Sequence, residues 1–194
     1  MGSSPTSGTK KMIIGYIVVA FAFLFAGIVS VLVLIGLLRT AFGESPFVPS
    51  AHMVCRRLVQ EMPLPRGSVW YDLGAGDGRV ARAMAKAYPE STCIGVELRL
   101  LPYLLGLLWL WLRPLPNAQL QHGDIYRASV SDATHIYLYL FPHVIAKLFP
   151  LIAAQVRPGT IIASVDFPYL GKEPERVVII TESFHKHTLY LYKI

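Results

Sequence analysis

An acid followed by three alternating glycines, Asp72-Leu73-Gly74-Ala75-Gly76-Asp77-Gly78-Arg79, stands between a short apolar run and an amphipathic one. The run before it, 68–73, reads as a strand, while Val80, Ala83, Met84 and Ala87 recur at helical spacing after it. Glycines let the backbone turn sharply and come close to a ligand, and the new helix presents free N–H groups and the positive end of its dipole. This is the nucleotide-holding turn of an open α/β sheet. The dinucleotide spacing G-x-G-x-x-G requires glycine at position 79, where this chain has Arg79. A carboxylate two residues before the first glycine suits an ammonium group rather than a pyrophosphate. S-adenosylmethionine (AdoMet), whose tail is a cationic amino acid, is therefore expected in preference to NAD, bound at Asp72, Gly74, Gly76, Asp77 and Gly78.

Strands and helices alternate from there on. Strands are expected at 69–73, 92–97, 118–122, 135–140, 159–166, 176–184 and 188–194, and helices at 78–87, 98–112 and 142–155, with a short turn at 125–130. Five β–α units and a final hairpin predict an α/β, Rossmann-like sheet of seven strands, mostly parallel, with the C-terminal hairpin antiparallel at one edge. Two more acids end successive strands. Glu97 stands where ribose hydroxyls bind in such folds, and Asp124 is placed to reach the adenine amino group, with Ile125 packing on the ring.

After the fourth strand comes Leu140-Phe141-Pro142. Leu140 is expected on the cofactor side, and Phe141 with Pro142 as an apolar, proline-fixed wall suited to a flexible alkyl amine such as lysine. Asp166, at the tip of the fifth strand, is the candidate proton acceptor by location alone. His185-Lys186-His187 reads as a solvated hairpin tip with no acid near it. No metal is expected, since His52, His122, His135 and His143 share no ligand spacing.

Upstream, residues 12–38 carry no charge. At ~1.5 Å per residue they make a helix of ~40 Å, longer than the ~30 Å hydrocarbon layer, so one transmembrane helix is expected. The domain reading is a flexible tail at 1–11, the transmembrane helix at 12–38, a linker and pre-domain helix at 39–66, and the AdoMet-binding domain at 67–194. Lys10 and Lys11 before the helix nearly balance Arg39, Arg56 and Arg57 after it, so charge does not orient it. AdoMet is made in the cytosol or an equivalent compartment, which predicts a single-pass protein with its domain on that side. The formal net charge is +6, but no dense basic stripe interleaved with aromatics is present, so nucleic acid is not an expected partner. Cys55 and Cys93 read as reduced and structural. The helix at 98–112 is apolar all round, which leaves two readings open. Either it is buried as a core helix, or its outer face, with Trp109 and Trp111, rests in a membrane interface.

Several of these elements together carry a family resemblance. The hydrophobic helix, Pro46-Phe47-Val48-Pro49-Ser50, the turn Asp72 to Arg79, Gly95-Val96-Glu97-Leu98 and the aromatic-rich helix after it cover nearly the whole chain. This set resembles the seven-strand lysine methyltransferases of the ATP synthase c-subunit and adenine nucleotide translocase type. The resemblance implies an AdoMet-dependent methyltransferase acting on lysine of a membrane-associated protein, with Phe47, Val48 and Pro49 near the cofactor and substrate entrance. Where it leads one to expect a basic residue, this chain has Asp166 before Phe167-Pro168. The other readings are methylation of a lipid or isoprenoid headgroup, and a non-catalytic AdoMet-binding module.

Overall fold

The computed structural model describes residues 7–41, 52–182 and 185–194, and the chain divides into two compact units, Met1–Pro46 and Phe47–Ile194. The described residues of the first unit form one helix, α1 (Ser7–Ala41). Within it, Met12–Gly36 has a mean hydropathy of 3.0 and no buried residue, so it is long and apolar enough to cross a membrane. Ser30 donates its hydroxyl to the Ala26 carbonyl at 2.9 Å, which satisfies this polar group inside the helix. The sequence 46–50, with Phe47, Val48 and Pro49, lies outside the described residues.

The second unit opens with α2 (His52–Glu61) and continues through a seven-stranded sheet in the order β3-β2-β1-β4-β5-β7-β6. Its strands are β1 (Val69–Leu73), β2 (Thr92–Glu97), β3 (Ala118–His122), β4 (His135–Leu138), β5 (Ile161–Val165), β6 (Arg176–Glu182) and β7 (His185–Lys193). The first five are parallel; β7 runs antiparallel to β5 and β6. The winding reverses between β1 and β4, and the carboxyl ends of the strands at such a reversal are where open sheets bind ligands.

Helices on both faces explain why β1, β4 and β5 are buried along nearly their whole length instead of alternating. Trp70, Cys93, Tyr137 and Ala163 face α2 and α3 (Arg79–Ala87), while Leu73, Ile136, Leu138 and Ile162 face α5 (Pro142–Ala153). Trp70 and Tyr137 are fully buried and stack with ring centroids 6.0 Å apart. Cys55 and Cys93 are buried free thiols, pushed up by burial to about 11 and about 12, and so remain protonated at neutral pH.

Several elements are shorter than the sequence suggests: β5 spans Ile161–Val165 instead of 159–166, between the positive-φ residues Gly159 and Asp166, and α5 ends at Ala153 instead of 155. The fourth strand ends at Leu138, two residues before the expected limit, because Pro142 opens α5 and holds Phe141 in an extended conformation before it. The helix expected from 98 starts at Leu100 as α4 (Leu100–Leu112), because Glu97 ties down the Arg99 N–H at 2.8 Å.

The sheet leaves no room at Gly95. A Cβ there would lie 2.5 Å from Leu120 Cδ2 and 2.8 Å from Ala75 Cβ, so a β3 side chain and the glycine turn close directly over this position. Gly95→Ala is expected to lower unfolding free energy by about 1–3 kcal/mol in denaturant titration. Gly123→Ala, whose nearest neighbour would be Val96 at 4.0 Å, is expected to leave it unchanged.

Candidate active site

The turn after β1 is a backbone object. Gly74, Gly76 and Gly78 all take positive φ, at 86°, 58° and 71°. A Cβ on Gly74 would also meet Leu140 Cδ2 at 2.9 Å, so the turn and the segment after β4 close on each other. Gly74 and Ala75 donate their N–H groups to the Val96 carbonyl at 2.9 and 3.0 Å, which fastens the turn to β2. Glu97 completes the fastening. Its carboxylate is 4% exposed and accepts from the Gly76 N–H at 2.7 Å and the Arg99 N–H at 2.8 Å.

Asp72 lies beneath this turn at 2% exposure. The Ala81 N–H, in the first turn of α3, donates to it, yet Oδ2 has no partner among the described residues. Burial, opposed by the Ala81 bond and reinforced by the charges of Glu97 and Asp77, pushes its carboxyl up to about 8. Asp77 behaves differently. It bends back onto Arg79, accepting from Nε and from a terminal guanidinium nitrogen at 3.0 Å each, with Arg82 4.0 Å away. Its charge is therefore compensated within the turn.

Farther along the sheet, Asp124 caps the 3-10 turn Ile125–Arg127 through the Tyr126 N–H at 2.9 Å and keeps Arg127 at 4.0 Å. Ile125 packs against the α5-side core. Leu140 is buried, whereas Phe141 is half-buried and Pro142 exposed. Phe141 meets Phe167 edge to face with centroids 6.1 Å apart, so the segments after β4 and β5 form one apolar wall.

Beside that wall is a cluster that the sequence did not announce. Asp166 accepts from Thr188 N–H at 3.0 Å, lies 2.8 Å from His187 Nδ1, and is hydrogen-bonded to Tyr139. Burial first, then the Asp166 charge and that bond, push the Tyr139 phenol up to about 12, so it stays a donor. Asp166 also takes a positive φ of 64°, a conformation that Asp tolerates better than most residues and that its paired bonds to Thr188 enforce. The expectation of a solvated tip is thus corrected for His187. It lies within β7, and the pairing of Val165 with Leu189 brings it to Asp166. Alternation of His187 with Leu189 and Leu191 was the available signal, since it extends the strand back past residue 188. Among the described residues, no three His, Cys, Asp or Glu converge to hold a metal ion.

The buried carboxyl has a consequence for stability. Because Asp72 titrates higher in the fold than in the unfolded chain, its contribution is fully present at acid pH and is lost as pH rises through about 8. Asp72→Asn removes that loss. The unliganded variant is expected to be more stable than the parent, with the gap widening by roughly 2 kcal/mol between about pH 6 and about pH 8. Denaturation midpoints at the two pH values check this.

Known proteins resemble this chain. A protein-lysine N-methyltransferase of Saccharolobus islandicus (strain REY15A) is 29% identical over 150 residues, 77% of this chain and 93% of that one. The adenine nucleotide translocase lysine N-methyltransferase of Mus musculus is 29% identical over 73% of this chain, which spans 64% of the mouse protein. The crystal structure of an RNA methyltransferase from Salinibacter ruber, in complex with S-adenosyl-L-homocysteine, superposes with a TM-score of 0.70 at 29% identity, covering 76% of this chain and 94% of that one. The model of the ANTKMT methyltransferase domain matches residues 72–176, from the acid in β1 to the start of β6. The chain belongs to that family, and it is a methyltransferase whose methyl donor is AdoMet.

Proposed function

We propose that this chain is a membrane-anchored methyltransferase that transfers the methyl group of AdoMet to a lysine of a membrane-associated protein. The observation that carries the acceptor reading is Asp166, a carboxylate held by three donors at the tip of β5. A lysine arrives as a cation, and an oriented carboxylate beside an apolar wall attracts it, whereas it would repel the phosphates of RNA. The relatives from Saccharolobus and mouse are named for lysine. The Salinibacter relative is named for RNA, and the acid at the acceptor side argues against that substrate here.

The donor side fits AdoMet on two features of this structure. Asp72 Oδ2 is a buried acceptor without a partner, which an ammonium group would satisfy. The turn takes positive φ at Gly74, Gly76 and Gly78, so its backbone can approach a ligand with no side chain in between. We assign Asp72 to the ammonium, Gly74, Gly76 and Gly78 to close backbone approach, Glu97 to the ribose through its remaining lone pairs, and Asp124, Ile125 and Leu140 to the adenine side. Asp77 supports the turn through Arg79.

When bound, AdoMet supplies an electrophilic methyl group on a sulfonium. Most of the protein's contribution is then positioning and exclusion of water. Phe141, Pro142 and Phe167 would line the aliphatic part of the lysine. Asp166 would take the proton that the lysine ammonium must lose before its nitrogen has a lone pair to receive the methyl group, with Tyr139 and His187 keeping the carboxylate aimed.

Incubating membranes with methyl-labelled AdoMet tests the acceptor. Label in protein, recovered as methyllysine, is expected; label in the organic extract would move the acceptor to a lipid or isoprenoid headgroup, and no label would leave a binding module. Asp72→Ala is expected to abolish S-adenosylhomocysteine binding in calorimetry. Asp166→Asn should retain that binding while lowering kcat about 100-fold. The helix α1 is read as the anchor, with the catalytic unit on the cytosolic or matrix-equivalent side, and protease protection of that unit on the opposite side would contradict this.

A further inference from the structure

Helix α4 is built inside out. Its inner stripe is Pro102, Tyr103, Gly106 and Leu110, and Gly106 comes so close to the domain that a Cβ would lie 2.4 Å from Leu120 Cδ1 and 2.8 Å from the Asp77 carbonyl oxygen. The opposite stripe, Leu101, Leu104, Leu105, Leu108, Trp111 and Leu112, follows the i, i+3, i+4, i+7 spacing of one helix face and points into solvent. Leu101 is 69% and Trp111 75% exposed. A helix of a soluble domain buries its large apolar side chains and exposes its polar ones; this one packs through small residues and has no charged residue at all. The core-helix reading of 98–112 is therefore set aside by the exposure of that stripe.

We infer that α4 is a membrane-docking helix, whose outer stripe lies in the headgroup–acyl boundary of an anionic bilayer. Three observations select a lipid surface over a protein partner. First, the helix is bracketed by cations. Arg99, which also pairs with Glu97 at 3.5 Å, and Arg113 flank its two ends, and Arg82, whose pKa is lowered first by burial and also by the charge of Arg113, lies over the Trp109 ring at 5.4 Å. Arginines around an apolar stripe complement anionic headgroups. Second, Trp109 and Trp111 cluster at one end beside those arginines, the composition favoured at bilayer interfaces. Third, the same chain carries Met12–Gly36, a helix long and apolar enough to cross a membrane. Helix α4 itself, at ~20 Å, is too short to cross the ~30 Å hydrocarbon layer, so it lies on the membrane instead of spanning it.

The chain's tryptophans make the test direct. Trp70 is fully buried, so lipid quenching of emission reports on Trp109 and Trp111. The full chain is reconstituted into vesicles of phosphatidylcholine and phosphatidylglycerol whose acyl chains carry bromine near the headgroup. Emission is expected to fall at least twofold relative to unbrominated vesicles, and Trp109→Phe/Trp111→Phe is expected to remove that fall. Arg113→Glu should weaken it while S-adenosylhomocysteine binding persists, which shows that the domain remains folded. Equal emission in brominated and plain vesicles from a chain that resists carbonate extraction overturns the proposal while leaving the anchor intact. Cross-linking of α4 to a second copy or to another protein, with quenching absent, assigns the face to that partner and also overturns it. Quenching from a chain that carbonate releases supports docking and removes only the anchor.

Discussion

A carboxylate taken out of water without a partner for one of its oxygens costs several kcal/mol in a folded protein, and folds tolerate such a group where a ligand later compensates it. Asp72 is in that position, under the glycine turn and against the first turn of α3. The surrounding architecture serves to keep it there. The Val96 carbonyl and the Glu97 carboxylate hold the turn from β2, Leu140 closes it from the segment after β4, and Gly106 lets α4 rest on the Asp77 carbonyl oxygen. Each contact depends on a residue having no Cβ or on a backbone N–H reaching a buried acceptor. The turn therefore tolerates little substitution, although it makes few side-chain contacts of its own.

The proposed donor and acceptor halves lie on neighbouring strand tips. β1 and β2 carry Asp72 and Glu97, β4 carries Leu140 and Tyr139 just past its end, and β5 carries Asp166. Because β4 pairs with both β1 and β5, one strand spaces the two halves. Compensation also differs between the acids. Asp77 is satisfied by Arg79 within the turn and Asp166 by donors from β7 and Tyr139, while Asp72 keeps an open valence. That difference separates a group satisfied within the turn from one with an unpartnered buried oxygen.

The sheet, its antiparallel hairpin and the glycine turn were legible in the sequence because each has a local signature: period, breaker or spacing. Element ends were less legible, since Pro142 shortens β4 by fixing Phe141 and Glu97 delays α4 by capturing the Arg99 N–H. The pairing of Asp166 with His187 was not legible. The two residues are 21 apart, and only the antiparallel β5–β7 register joins them. Asp77 was read as a ligand group on spacing alone, and spacing does not reveal that Arg79, two residues on, takes its carboxylate. The orientation of α4 was equally hidden. A helix apolar all round has no pattern to orient it, and only the close approach at Gly106 reveals which face turns inward.

The central claim is that the open oxygen of Asp72 receives the ammonium of AdoMet. Carboxyl carbon-13 NMR, with Asp72→Asn assigning the resonance, measures it most directly. In the unliganded protein the resonance should titrate near pH 8, and with saturating S-adenosylhomocysteine it should be ionised from about pH 6 upward. An Asp72 that titrates identically with and without that ligand would contradict the account.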